Sequence, residues 1–222
     1  MSNDWISRLV VRGPAGDVEA FAKMATDPRI RAHQFDNSTK HRGRLGLSFT
    51  ALLARLPPGW GAQLDHDITE PWALSLDRPV RLKGGMLERA YRFQLSHYVP
   101  DALLVQVSKQ YPRLCFVLGW VEPNIDEQAS RFIHAGHSSL YRLPEKRKRV
   151  LQAGVPADTT GGNPAATDGN DAVLWALVEA DWAMMDAVVS HWDRKADLVL
   201  RRIRRSSPTK QGTSARRRPG QP

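Results

Sequence analysis

The 222-residue chain is 41% apolar and carries a net charge of +9, long enough for one packed domain plus an appendage and too apolar for wholesale disorder. The charge is localised: residues 201–222 hold eight of the 32 Lys and Arg and no acid, which leaves 24 basic against 23 acidic side chains over residues 1–200. No apolar run approaches the ~20 residues that span a bilayer, and the single cysteine, Cys115, excludes an intrachain disulfide or a cysteine-rich zinc site.

The opening MSNDWISRLVV carries Asp4 and lacks a basic n-region, so no signal peptide is expected and the expected setting is reducing and cytoplasmic. Trp5 to Arg12 reads as a first strand, with Trp5, Leu9 and Val11 on one side and Ile6 and Val10 on the other. Gly13-Pro14 punctuates it and starts a helix, with Pro14 suited to the first helical position and Asp17 and Glu19 in the early turns. Val18, Phe21, Ala22 and Ala25 form the apolar stripe of that helix, and Asp27-Pro28 ends it. Residues 29–70 carry little regular pattern; Leu45, Leu47, Phe49, Leu52, Leu53 and Leu56 can pack, and the stretch is expected to wrap over one side of the core. Trp72–Leu76 and Val80–Leu82 are strand candidates, and Gly84-Gly85 turns back into Leu87–Ser96.

The strongest pattern lies in Glu88–Pro123. Tyr91, Phe93 and Leu95 alternate with Arg92 and Gln94, the period of a half-buried strand. Val99, Leu103, Leu104 and Val107 follow at helical spacing, and Leu114–Val121 reads as a strand buried on both faces. Strand, helix, strand, strand, helix, strand is the ferredoxin-like split βαβ arrangement. The expected fold is therefore α+β: a four-stranded antiparallel sheet with two helices on one face, occupying residues 1–145. Its other face is left for residues 29–70, for the C-terminal helix or for a ligand.

Trp5–Pro14 with Val18 and Phe21, Leu47, Phe49, Leu52, Leu53 and Pro57, and then Tyr91-Arg92-Phe93, Pro100, Ser108, Tyr111-Pro112 and Leu114–Pro123 resemble the YubB ferredoxin-like family of plasmid- and phage-borne proteins. The resemblance covers roughly residues 5–123 in patches and implies a ferredoxin-like fold and a mobile-element context, without implying an activity. Members of that family commonly carry a Trp-Gly-Thr-Lys-Trp element where this chain has Trp72-Ala73-Leu74-Ser75-Leu76, so a site built on that element does not carry over.

From Ala129 the chain turns polar, then basic at Lys146-Arg147-Lys148-Arg149, and 146–170 reads as a basic, Gly/Pro-rich linker. Asp171 is an N-cap candidate for a long amphipathic helix over 171–205. Its seam, Trp175, Val178, Trp182, Met185, Val189, Trp192, Ala196, Val199 and Ile203, alternates three and four apart, the coiled-coil pattern. Two uses of the seam stand side by side: self-association or a partner contact, and docking on the chain's own sheet. Residues 206–222 read as a disordered basic tail.

Candidate chemistry is sparse. His134 and His137 stand three apart with Gly136 between them and no third ligand nearby, a solvated loop rather than a metal site. Asp65-His66-Asp67 with Glu70 reads as a polar surface loop, although an enzyme remains a third reading if residues 29–70 bring His41, His66 and Asp67 to a cleft. Cys115 reads as core. Gly13-Pro14-Ala15-Gly16 reads as a turn, since Pro14 lacks a donor and the glycine spacing fits neither nucleotide fingerprint. No catalytic residue, cofactor or metal is assigned. Tyr91, Phe93, Phe116 and Trp120 compare with base-stacking aromatics of RNA-recognition motifs, with core packing as the alternative.

Two functions follow as expectations. The first is a non-catalytic interaction protein using the helix seam at Trp175, Val178, Trp182, Met185, Val189 and Trp192. The second is a nucleic-acid-binding accessory protein using the aromatic sheet face and Arg201, Arg202, Arg204, Arg205, Arg216, Arg217 and Arg218.

Overall fold

A computed structural model describes residues 5–26, 47–57, 71–95, 99–122, 127–153 and 171–206. In chain order these form β1 (Trp5–Pro14), α1 (Ala15–Met24), α2 (Phe49–Leu53), β2 (Trp72–Leu76), β3 (Val80–Leu82), β4 (Met86–Leu95), α3 (Asp101–Gln110), β5 (Cys115–Glu122), β6 (Glu127–His134), β7 (His137–Arg142), α4 (Glu145–Gln152), α5 (Asp171–Ser190) and α6 (Asp193–Ser206).

The strands make one seven-stranded antiparallel sheet in the order β2-β4-β1-β5-β6-β7, with β3 also paired to β4. β2 lies opposite Tyr91–Gln94 and β3 opposite Met86–Glu88, so the two are successive pieces of one edge. The interruption falls at Asp77–Pro79, where Pro79 has no N–H to donate.

The mixed α+β expectation holds, but the sheet is not a four-stranded sandwich. β6 and β7 extend it past β5, and helices cover both of its faces.

Alternation along the strands sorts the core into two layers. Leu9, Val11, Tyr91, Phe93, Phe116 and Trp120 face α1, α2 and α3, where they meet Val18, Phe21, Phe49, Leu52, Leu103, Leu104 and Val107. Phe21 stands edge-on to Phe116, and Phe49 edge-on to Phe93. The aromatic face considered for base stacking is thus closed by the chain's own helices. Tyr91 is 2% exposed and Trp120 6%.

On the other side, Val10, Ala90, Cys115, Val117, Val121 and Phe132 face α5 and α6. Met185, Val189, Trp192, Ala196 and Ile203 of the seam are buried there, with Trp182 and Val199 packed at the margin. The side chains of Trp175 and Val178 lie outside the described residues. The seam therefore docks on its own sheet, and the buried seam residues are not open to a partner.

Gly119 permits that approach, since a Cβ on it would stand 2.7 Å from Val189 Cγ2 and 2.9 Å from Met185 Sδ. The expected single helix over 171–205 breaks at His191-Trp192, where Trp192 turns inward and its indole N–H donates to Ser130 Oγ at 2.8 Å. Ser130 in turn donates to the Val188 carbonyl at 2.6 Å, so a buried hydroxyl ties β6 to the end of α5.

The 146–170 linker is also corrected at its start, because α4 is helical through Gln152 and packs beside α5. Residues 154–170 lie outside the described residues.

β6 and β7 are joined by Ala135-Gly136, both in the left-handed region at φ 47° and 82°, a two-residue hairpin that matches sheet twist. Ser108 of α3 braces this turn: its hydroxyl accepts from Gly136 N at 2.8 Å and donates to the Val105 carbonyl at 2.7 Å.

Candidate functional site

Two groups of cations stand out among the described residues. One group is spent inside the fold, on the face covered by α5 and α6. Arg12 of β1 reaches Glu88 of β4 at 2.6 Å and Asp193 of α6 at 2.7 Å. Burial works against the Arg12 guanidinium, and the charges of Glu88 and Asp193 together outweigh it and raise its pKa. Arg8, four residues earlier on the same face, bonds Asp186 of α5 and lies 3.5 Å from Asp77. Asp77 also holds Arg92, whose guanidinium sits 4.9 Å above the Trp182 ring. Sheet and C-terminal helices are thus joined by charge as well as by apolar contact.

The second group stands at the far end of α6. Ala196, Leu200 and Ile203 turn inward at helical spacing, which leaves Arg201, Arg202, Arg204 and Arg205 exposed. α6 ends against the β3–β4 hairpin. There Leu82, Met86 and Leu200 form the apolar floor, and Lys83, Arg201, Arg204 and Arg205 the rim, of a cavity of about 650 Å³. Asp197 is, among the described residues, the one acid that lines it. Among the described residues, none of Lys83, Arg201, Arg204 and Arg205 forms an ion pair.

The hairpin turn shapes one wall. Gly84 and Gly85 both have φ of 72°, which L side chains rarely adopt. Arg204 lies across Gly84 so closely that a Cβ there would be 2.6 Å from Nε and 2.9 Å from Cζ. The glycine therefore sets the position of this guanidinium as well as the turn.

The other candidates are dispersed. His134 and His137 pair across the tight β6–β7 turn, and His134 Nδ1 is 3.0 Å from the Leu114 carbonyl, to which it donates. Among the described residues no cluster of His, Cys, Asp and Glu is gathered as a metal site. Burial pushes the Cys115 thiol up to about 12, partly offset by Arg12, so it stays protonated at neutral pH and is no nucleophile. The segment Gly13–Gly16, expected as a turn, is instead the end of β1 and the start of α1, where the Ala15 N–H already donates to the Gly85 carbonyl at 3.0 Å. His41, Asp65, His66, Asp67 and Glu70 lie outside the described residues, as do Arg216, Arg217 and Arg218.

Of the basic residues singled out in the sequence, the structure brings Arg201, Arg204 and Arg205 to one groove, while Arg202 is exposed on the same helix without lining it. Sequence reasoning missed Lys83, Leu82 and Met86. Gly84-Gly85 marked a turn, and nothing local placed that turn beside residues 200–205.

Compared with known proteins, the chain matches no family model, no curated protein and no solved structure.

Proposed function

We propose that this chain is a non-catalytic nucleic-acid-binding protein that holds the phosphate backbone at the groove between the β3–β4 hairpin and the end of α6. The observation that carries the reading is the convergence, among the described residues, of the unpaired Lys83, Arg201, Arg204 and Arg205 on one cavity that Asp197 alone of the described acids lines. Cations held by internal carboxylates, as Arg8 and Arg12 are, stabilise a fold; cations without such partners are free to neutralise phosphates and release counterions. Arg216, Arg217 and Arg218 follow in the same direction along the chain and add a further run of positive charge. The resemblance to YubB proteins supports a plasmid or phage setting in the cytoplasm, where nucleic acid is the abundant polyanion.

The helix seam supports a partner contact less well, since Met185, Val189 and Trp192 are already buried against the sheet. No helix among the described residues is long and apolar enough to cross a membrane.

The test compares two full-length variants for binding to a fluorescent DNA oligonucleotide in low salt. Arg201→Glu with Arg205→Glu is expected to lower affinity at least tenfold, more than Arg216→Glu with Arg217→Glu does. Binding lost only in the second variant would assign the interaction to the tail and remove the groove from it.

A further inference from the structure

The groove can hold the phosphates of either a single strand or a duplex. We infer that it receives an unpaired nucleotide, so that the protein prefers single strands to duplexes; this rests on the nucleic-acid reading itself. A site for duplex backbone alone needs only cations on a surface, because stacked bases keep their faces to themselves. Here the rim of Lys83, Arg201, Arg204 and Arg205 encloses a recess floored by Leu82, Met86 and Leu200, and its volume of about 650 Å³ is that of a small-molecule pocket. Beneath a duplex that apolar floor would stay wet. A splayed-out base covers it and places its own phosphates at the rim.

The contact between Arg204 and Gly84 supports the same ligand. Free arginines search many rotamers, whereas this one is laid across the hairpin turn, with Nε, Cδ and Cζ each within 3 Å of the space a Cβ would take at Gly84. A guanidinium held in place is a planar surface on which a base stacks, as well as a charge. Among the described residues no aromatic side chain lines the groove, so Arg204 is the stacking platform and the aliphatic floor is the seat.

Anisotropy titrations of a labelled oligonucleotide, single-stranded and annealed to its complement, test this on the full chain. Arg204→Lys keeps the charge and removes the plane. Leu82→Ser removes a half-buried part of the floor without emptying the core. The wild type is expected to bind the single strand roughly tenfold more tightly than the duplex, and each variant to erase most of that difference, with Leu82→Ser, which keeps all four groove cations, changing duplex affinity less than about twofold. Circular dichroism spectra matching the wild type show that the variants are folded. Equal affinity of the wild type for both forms, or equal weakening of both forms by Arg204→Lys, would overturn the inference and leave the phosphate-binding reading standing. Failure to bind either form in low salt would remove both.

Discussion

Gly119 of β5 lies directly under Val189 of α5, so near that a Cβ on the glycine would come within 2.7 Å of Val189 Cγ2. That relationship fixes how close the C-terminal helices sit to the sheet. Gly119→Ala forces Val189 and Met185 outward and is expected to cost roughly 1–3 kcal/mol, with larger residues costing more. Urea unfolding followed by circular dichroism measures it. A Gly119→Ala protein as stable as the wild type would place α5 farther from β5.

Met185 provides the complementary change. It is fully buried among Val10, Val117 and Val188, so Met185→Ala removes core volume and is expected to destabilise by about 2–5 kcal/mol. Light scattering on the folded fraction should show the same mass as the wild type. A mass that falls while stability holds would mean that the seam joins two chains.

Arg12 bridges two carboxylates on different elements, with 13% of its side chain exposed and 19% of that of Glu88. Arg12→Ala leaves Glu88 charged and poorly solvated, at a cost of roughly 3 kcal/mol. Arg12→Met combined with Glu88→Leu removes both charges and should recover most of the loss. A denaturation cycle over the single and double variants checks the sign of the coupling.

Burial raises the Asp181 carboxyl on α5 to about 6. The folded state thus binds this proton more tightly than the unfolded one. The group costs nothing below about pH 4, where it is protonated in both states, and its penalty grows as pH rises through about 6. Asp181→Asn is expected to stabilise by about 1 kcal/mol at neutral pH, reduced from the full shift by partial solvent screening, and to be neutral in acid. Thermal midpoints at the two pH values decide it.

Much of the inner architecture is legible locally. β1, β4, α3 and β5 lie where alternation and helical spacing put them, because each presents a clean apolar face. Gly84-Gly85 marks a real chain reversal, whereas Gly13-Pro14 is the paired end of β1, and Pro14 sits at the N-cap of α1 and not at its first helical position. β6 escaped notice because its buried positions include Gln128 and Ser130, polar residues that local pattern assigns to the surface. Ser130 is satisfied by Val188 and Trp192, 58 and 62 residues away, and no window around it carries that information. The break at His191-Trp192 was hidden for a related reason: the three-four spacing runs through it without a Gly or Pro. The arginines of α6 were visible as charge. Their use together with Lys83 depends on the hairpin meeting the helix end, a long-range contact.

The central claim is that the groove cations contact phosphates, and the slope of log Kd against log salt measures this most directly. Arg201→Ala with Arg205→Ala is expected to make the slope for single-stranded DNA shallower by roughly one to two. A double variant with weakened affinity and an unchanged slope, or with neither altered, would contradict a phosphate-binding role for this end of α6.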